Sequence, residues 1–153
     1  VGVDAGMVLF FQGEHLDWSF AGKIDDAGGL AFTPGSTATP ESYTPQAFRQ
    51  VVSAGAGVTL HTGADAIHMA VDYRDILDAY GDEAFKKLYA GTKVLIRTYI
   101  GLAAGFYHGY PSFGAELDLI LLRLAVTSYK RELGDRPGVD PRQIVMGSVS
   151  TGF

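Results

Sequence analysis

Cysteine is absent from the chain, which rules out a disulfide framework and thiolate metal sites. That absence suits a reducing cytoplasm and equally a cysteine-free envelope protein. Charge is sparse: only 19% of residues are Asp, Glu, Lys or Arg, with a formal net charge of −5 and a pI near 5.2. That balance, without clustered Lys and Arg, argues against a nucleic-acid surface. A long uninterrupted apolar run is missing too. The longest, Leu117 to Val126, is broken by Asp118 and Arg123 and falls well short of the ~20 residues a membrane-crossing helix needs. No membrane span is expected on that ground. The chain opens on Val1 rather than Met, which reads as a processed or trimmed start with no signal peptide left to read, and no internal repeat or low-complexity tract is visible.

What is present is ordinary in amount and unusual in kind. At 153 residues with 47% apolar content, the chain has the size and composition of one globular domain, residues 1–153. Twenty glycines, nine Phe and eight Tyr indicate many tight turns and aromatic-lined surfaces. Apolar runs at Val1–Phe11, Leu30–Phe32, Val58–His61, Ala66–Val71, Lys93–Tyr99, Gly105–Gly109 and Ile144–Met146 read as strands. Helices are predicted from Thr44-Pro45 to Gly55, from Asp82 to Gly91, and over Glu116–Leu133, with a turn at Asp135–Gly138. Strands alternating with helices imply an α/β domain with a parallel sheet, either closed as an incomplete (β/α) barrel or open as in α/β-hydrolases.

Two acids sit where a barrel places its chemistry. Ile67–Val71 is an apolar run delivering Asp72 at its C-terminal end, and Val1-Gly2-Val3 delivers Asp4 in the same way. A pair of carboxylates, one holding a proton while the other stays ionised, is the equipment for cleaving a glycosidic bond. The plainer alternative is that both acids cap the turns that follow them.

Several stretches carry a family likeness. Gly2-Val3-Asp4, Gln12-Gly13-Glu14-His15-Leu16-Asp17-Trp18, Gly63-Ala64-Asp65-Ala66, Ile67–Tyr73, Tyr89-Ala90-Gly91 and Ala104–Tyr110 resemble glycoside-hydrolase-like proteins related to family 25 lysozymes. The resemblance implies a (β/α) barrel acting on cell-wall glycan, with a polysaccharide or small-molecule substrate and a secreted or cell-envelope location. It implies Asp72 and Asp4 as catalytic acids, with Tyr107, His61 and Trp18 in substrate binding and no cofactor. Where those lysozymes carry Asp-x-Glu, this chain has Asp72-Tyr73-Arg74.

A second resemblance lies at Gly147-Ser148-Val149-Ser150-Thr151-Gly152, which is similar to the nucleophile elbow of α/β-hydrolases, with Ser150 as nucleophile. Every histidine precedes it, so a triad in that fold's order would need more chain than is here. A non-catalytic glycan-binding or structural domain on the same scaffold is the third reading. His61, Asp65 and His68 contain metal-ligating residue types but match no ligand spacing, and no metal is expected.

Overall fold

The computed structural model describes residues 2–29, 47–119, 121–134 and 136–151. Nine strands follow one another: β1 (Ala5–Phe11), β2 (Leu16–Asp25), β3 (Val51–Thr62), β4 (Asp65–Tyr73), β5 (Leu88–Ile96), β6 (Ile100–Tyr107), β7 (Tyr110–Leu119), β8 (Leu122–Glu132) and β9 (Pro141–Thr151). They form a single sheet in chain order, every neighbouring pair antiparallel. A single helical turn, α1 (Ala84–Lys87), precedes β5.

This overturns the parallel α/β expectation in both of its forms, the (β/α) or TIM-type barrel and the α/β-hydrolase sheet. The cause is local. Glu116–Leu133, read as one helix, is the end of β7, a two-residue connection and the whole of β8, with Leu119 paired to Leu122. The connection lacks Gly, Pro and Asn, so nothing in the sequence punctuates the hairpin. Residues 51–55 belong to β3, and the segment from Asp82 keeps one helical turn before becoming β5. The strand expected at 30–32 and the helix start at Thr44-Pro45 lie outside the described residues.

The connections sort by rim. At one rim, β1–β2, β3–β4, β5–β6 and β7–β8 are joined by residues 12–15, 63–64, 97–99 and 120–121. At the other, the joins are 26–50, 74–87, 108–109 and 133–140. The 108–109 turn has His108 at φ 51 and Gly109 at φ 87, the pair of left-handed residues that a two-residue type I′ hairpin requires. Asp75 organises the 74–87 connection: it is buried and accepts backbone N–H bonds from Ala79 at 2.8 Å and Tyr80 at 3.2 Å, with the Lys87 ammonium 3.7 Å away. The 133–140 connection is gathered around Glu132, whose carboxylate accepts from Gly134, Gly138 and Asp140 N–H groups and from the Tyr110 hydroxyl.

Among the described residues, no second layer covers the sheet. Val51 is the one buried hydrophobic residue among those described. A compact soluble chain of 16.3 kDa exposes roughly 7,500 Å², whereas this one exposes 10846 Å². The surplus corresponds to faces that an ordinary domain would bury.

Candidate functional site

Cross-strand partners share a face, so the register assigns every strand residue to one side of the sheet. One face carries Met7, Leu9 and Phe11 of β1, Leu16, Trp18 and Phe20 of β2, and Val52, Val58 and Leu60 of β3. It continues with Ile67, Met69 and Val71 of β4, Val94 of β5, and Ile100, Leu102 and Phe106 of β6. Phe113, Leu117, Leu124, Val126, Val145 and Val149 complete it on β7 to β9. Charges on this face lie toward the strand ends, at Asp65, Lys130 and Glu132. Many of these apolar side chains are about half exposed: Met69 is 47% accessible, Leu102 52% and Val149 71%.

The opposite face is small and polar. Its residues include Asp17, Ser19, Lys23, Ser53, Thr59, His61, His68, Asp72, Lys93, Glu116, Arg123 and Thr127, set among Gly55, Gly57, Gly91, Gly101, Gly105 and Gly114. The glycines have a use where a long side chain lies across a neighbouring strand. A Cβ at Gly101 would collide with Glu116, and one at Gly55 with Asp72. Glu116 thereby meets Lys93 of β5 at 2.5 Å while Arg123 of β8 approaches it at 3.3 Å. The Lys93 hydrogen bond holds the Glu116 carboxyl below its usual range against the opposing effect of burial. Arg123 also lies 3.8 Å from Asp118, so four charges on three strands form one network.

Toward the rim with the long connections, the polar face bears an aromatic cluster. Tyr107 packs edge-on against Tyr89 and Tyr129, with centroids 5.3 and 5.0 Å apart, and stacks on His108 at 4.5 Å. The Tyr89 hydroxyl and His108 Nε2 are 3.0 Å apart. Burial raises the Tyr89 pKa and lowers that of His108, the latter helped by the nearby Lys86 and Arg131 charges. A concavity of about 430 Å³ between this cluster and Lys93 is floored by small residues including Ala70, Gly91 and Gly105.

The expected site residues divide over this surface. Asp72 and Tyr107 line that same concavity. Asp4 precedes β1, accepts the Asp26 N–H at 2.9 Å, and lines a different depression between β1 and β2, the capping arrangement of a turn aspartate. His61 lies at the opposite rim, paired with Asp17 at 2.8 Å, a contact that lowers the Asp17 pKa. Trp18 is on the apolar face, opposite Phe11 and Val58. Ser150 lies within β9 opposite Arg123 rather than on a strand-to-helix turn. Among the described residues, no group of three His, Asp or Glu could hold a metal ion. Sequence reading missed the Lys93–Glu116–Arg123 network, although strict alternation along Pro111–Leu119 marks Glu116 and Asp118 as one side of a strand.

Comparison with protein-family profiles, curated proteins and solved structures finds no match. The function must therefore be read from the sheet itself.

Proposed function

We propose that the nine strands are part of the wall of a membrane-spanning β-barrel, the apolar face turned to lipid and the polar face lining an aqueous lumen. One observation carries this reading: a single antiparallel sheet, uncovered by any other described residues, sorts most of its apolar residues onto one face and most of its charges onto the other. In a soluble sheet the apolar face is the one that is covered. In a membrane barrel the apolar face stays outside and small or polar residues point inward. No helix among the described residues is long and apolar enough to cross a membrane, and a strand-built wall needs none.

Dimensions and details agree. An 11-residue strand such as β8 or β9 extends ~36 Å, and a tilt of ~45° brings its height to ~25 Å, the thickness of the lipid-facing band. The cross-strand row through Phe11, the last residue of β1, runs through Trp18, Val58, Met69, Thr92, Ala104, Phe113 and Ser128 to Val145, near the middle of β9. The strands thus climb in steps, between β1 and β3 and again between β6 and β7, in the sense of the stagger that accompanies tilted strands in a barrel. One rim has only short turns and the other mostly longer connections, the asymmetry of outer-membrane barrels. On the apolar face, Phe11 and Trp18 lie toward the short-turn rim, with Tyr73, Phe106 and Phe113 toward the other, where aromatic residues meet lipid headgroups.

The lone tryptophan makes the reading testable. With the chain folded into vesicles, Trp18 emission should be strongly quenched by lipids brominated on their acyl chains and little affected by aqueous iodide. Quenching by iodide alone, with the chain remaining dispersed in detergent-free buffer, would sink the proposal.

A further inference from the structure

We infer that the outer edges of β1 and β9 are each continued by another membrane-crossing strand, antiparallel to its neighbour and belonging to none of these nine. The inference rests on the membrane reading above and adds the partner that such a wall requires. Among the described residues β1 pairs with β2 alone and β9 with β8 alone, so each leaves a row of backbone N–H and C=O groups free along its outer side. Inside a hydrocarbon layer no water can satisfy them, and an open sheet edge is not tolerated there.

Neither edge is built to stand open. Soluble sheets blunt an edge strand with charges, prolines or bulges. Ala5–Phe11 contains no charge and no proline, and from Gln143 to Thr151 β9 contains none either. The lipid-side alternation persists to both margins, in Met7 and Leu9 of β1 and in Val145 and Val149 of β9. An edge exposed to water would interrupt that pattern, whereas an interior strand of a longer wall would keep it.

Strand parity selects the partner. In a meander of nine strands the first and last point the same way, so closing β9 onto β1 makes a parallel junction. A ring of copies sharing one membrane orientation meets β9 to β1 at every junction, again in parallel. Continuing the antiparallel pattern takes a strand from outside the nine. Its lumen side must also meet an unusual surface. On the otherwise polar face, β1 presents Val8 and Phe10, which are 52% and 72% exposed, and β9 presents Met146 at 57%. The strand beside β1 should therefore carry apolar residues on both sides near Val8 and Phe10.

Photo-crosslinking in membranes of cells making the protein tests this. Benzoylphenylalanine replaces Val8 in one variant and Phe10 in another, and the joined peptides are sequenced by mass spectrometry. Both probes should reach one strand outside the nine, apolar on both sides at the joined positions, which should lie two residues apart and in reversed order. Hits on β9 of the same chain, hits on β9 of an isotopically marked second copy, hits in parallel order, or capture of lipid alone would each overturn the inference. Carbonate extraction of the same membranes separates the two readings. A chain released into the soluble fraction overturns the membrane proposal, while a retained chain with any of those crosslinks overturns only the edge inference.

Discussion

Met69 is the position at which water and lipid give opposite answers. It sits at the middle of β4, on the apolar face, between Val58 and Thr92, and is 47% exposed. In a water-soluble sheet, Met69→Arg would place a long charged side chain on an accessible surface, which shifts stability by no more than about 0.5 kcal/mol. In a membrane wall the same change puts a guanidinium near the bilayer midplane, at a cost of about 2–4 kcal/mol. At ~1.4 kcal/mol per tenfold change, the midpoint of that range lowers the folding equilibrium constant by about two orders of magnitude. The assay is reversible guanidinium unfolding of the vesicle-inserted chain, followed by Trp18 emission. Ala125→Lys serves as the control, because Ala125 lies on the polar face directly opposite Glu116 and a lysine there joins an existing charge network at little cost. A Met69→Arg variant within about 0.5 kcal/mol of the parent, while still bound to vesicles, would refute the assignment of that face to lipid.

Other outcomes follow from particular contacts. Glu132 is held at a pKa of about 2: burial works to raise it, but the Tyr110 hydroxyl and the Asp140, Gly134 and Gly138 N–H groups overcome this by stabilising the carboxylate. Because the folded pKa is depressed, its contribution is complete above the ordinary value of 4.5 and is lost only as pH falls through about 2. Residues 133–140 should therefore stay resistant to acid-active proteases at a pH midway between those values, and Glu132→Gln should abolish that resistance across the whole range. Gly101→Val should push Glu116 away from Lys93, and an NMR titration should then show the Glu116 pKa rising back toward 4.5. An unchanged titration would mean that Glu116 does not depend on the space over Gly101. Tyr89→Phe removes the hydrogen bond to His108 Nε2 and should destabilise the chain by about 1 kcal/mol, read in the same guanidinium assay. No change would show that the hydroxyl is satisfied equally well elsewhere.

The strands were partly legible in the sequence and the architecture was not. Ala66–Val71 and Ile144–Met146 were readable as extended because they combine apolar and β-branched residues in short runs. Tyr110–Leu119 is the clearest case of period two in the chain, yet from Glu116 onward the sequence reads as a helix. The reason is a break in phase. Leu117 and Leu119 end one strand and Leu122, Leu124 and Val126 begin the next on the same face, so two alternating patterns joined by a tight apolar turn mimic a helix that is apolar all round. At the candidate site, Asp72 is legible as the acid that ends the apolar run Ile67–Val71, while Tyr107 enters only through the family likeness. Their common concavity is a matter of register, since β4 meets β6 only through Gly91 and its neighbours on β5. Asp4 has the same local sequence signature as Asp72, but the fold uses it to hold the Asp26 N–H.

Composition misleads here for a reason that is itself physical. A soluble domain and a barrel wall need similar shares of apolar and polar residues, because each buries one kind from the solvent on its other side. A 47% apolar chain with 19% charge fits either. What separates them is which face is covered, and that depends on nine strands keeping one phase across eight hairpin connections. A slip of one residue in any strand would turn its apolar set to the opposite side. The register instead keeps Trp18, Val58, Met69, Phe113 and Val145 in one row across the sheet, while Lys93, Glu116 and Arg123 stay together behind it. An apolar face kept in phase through every strand, with no layer of described residues over it, calls for a continuous apolar medium. Lipid supplies one over the full width of the sheet, and the ionic network behind it is then satisfied in water and by itself.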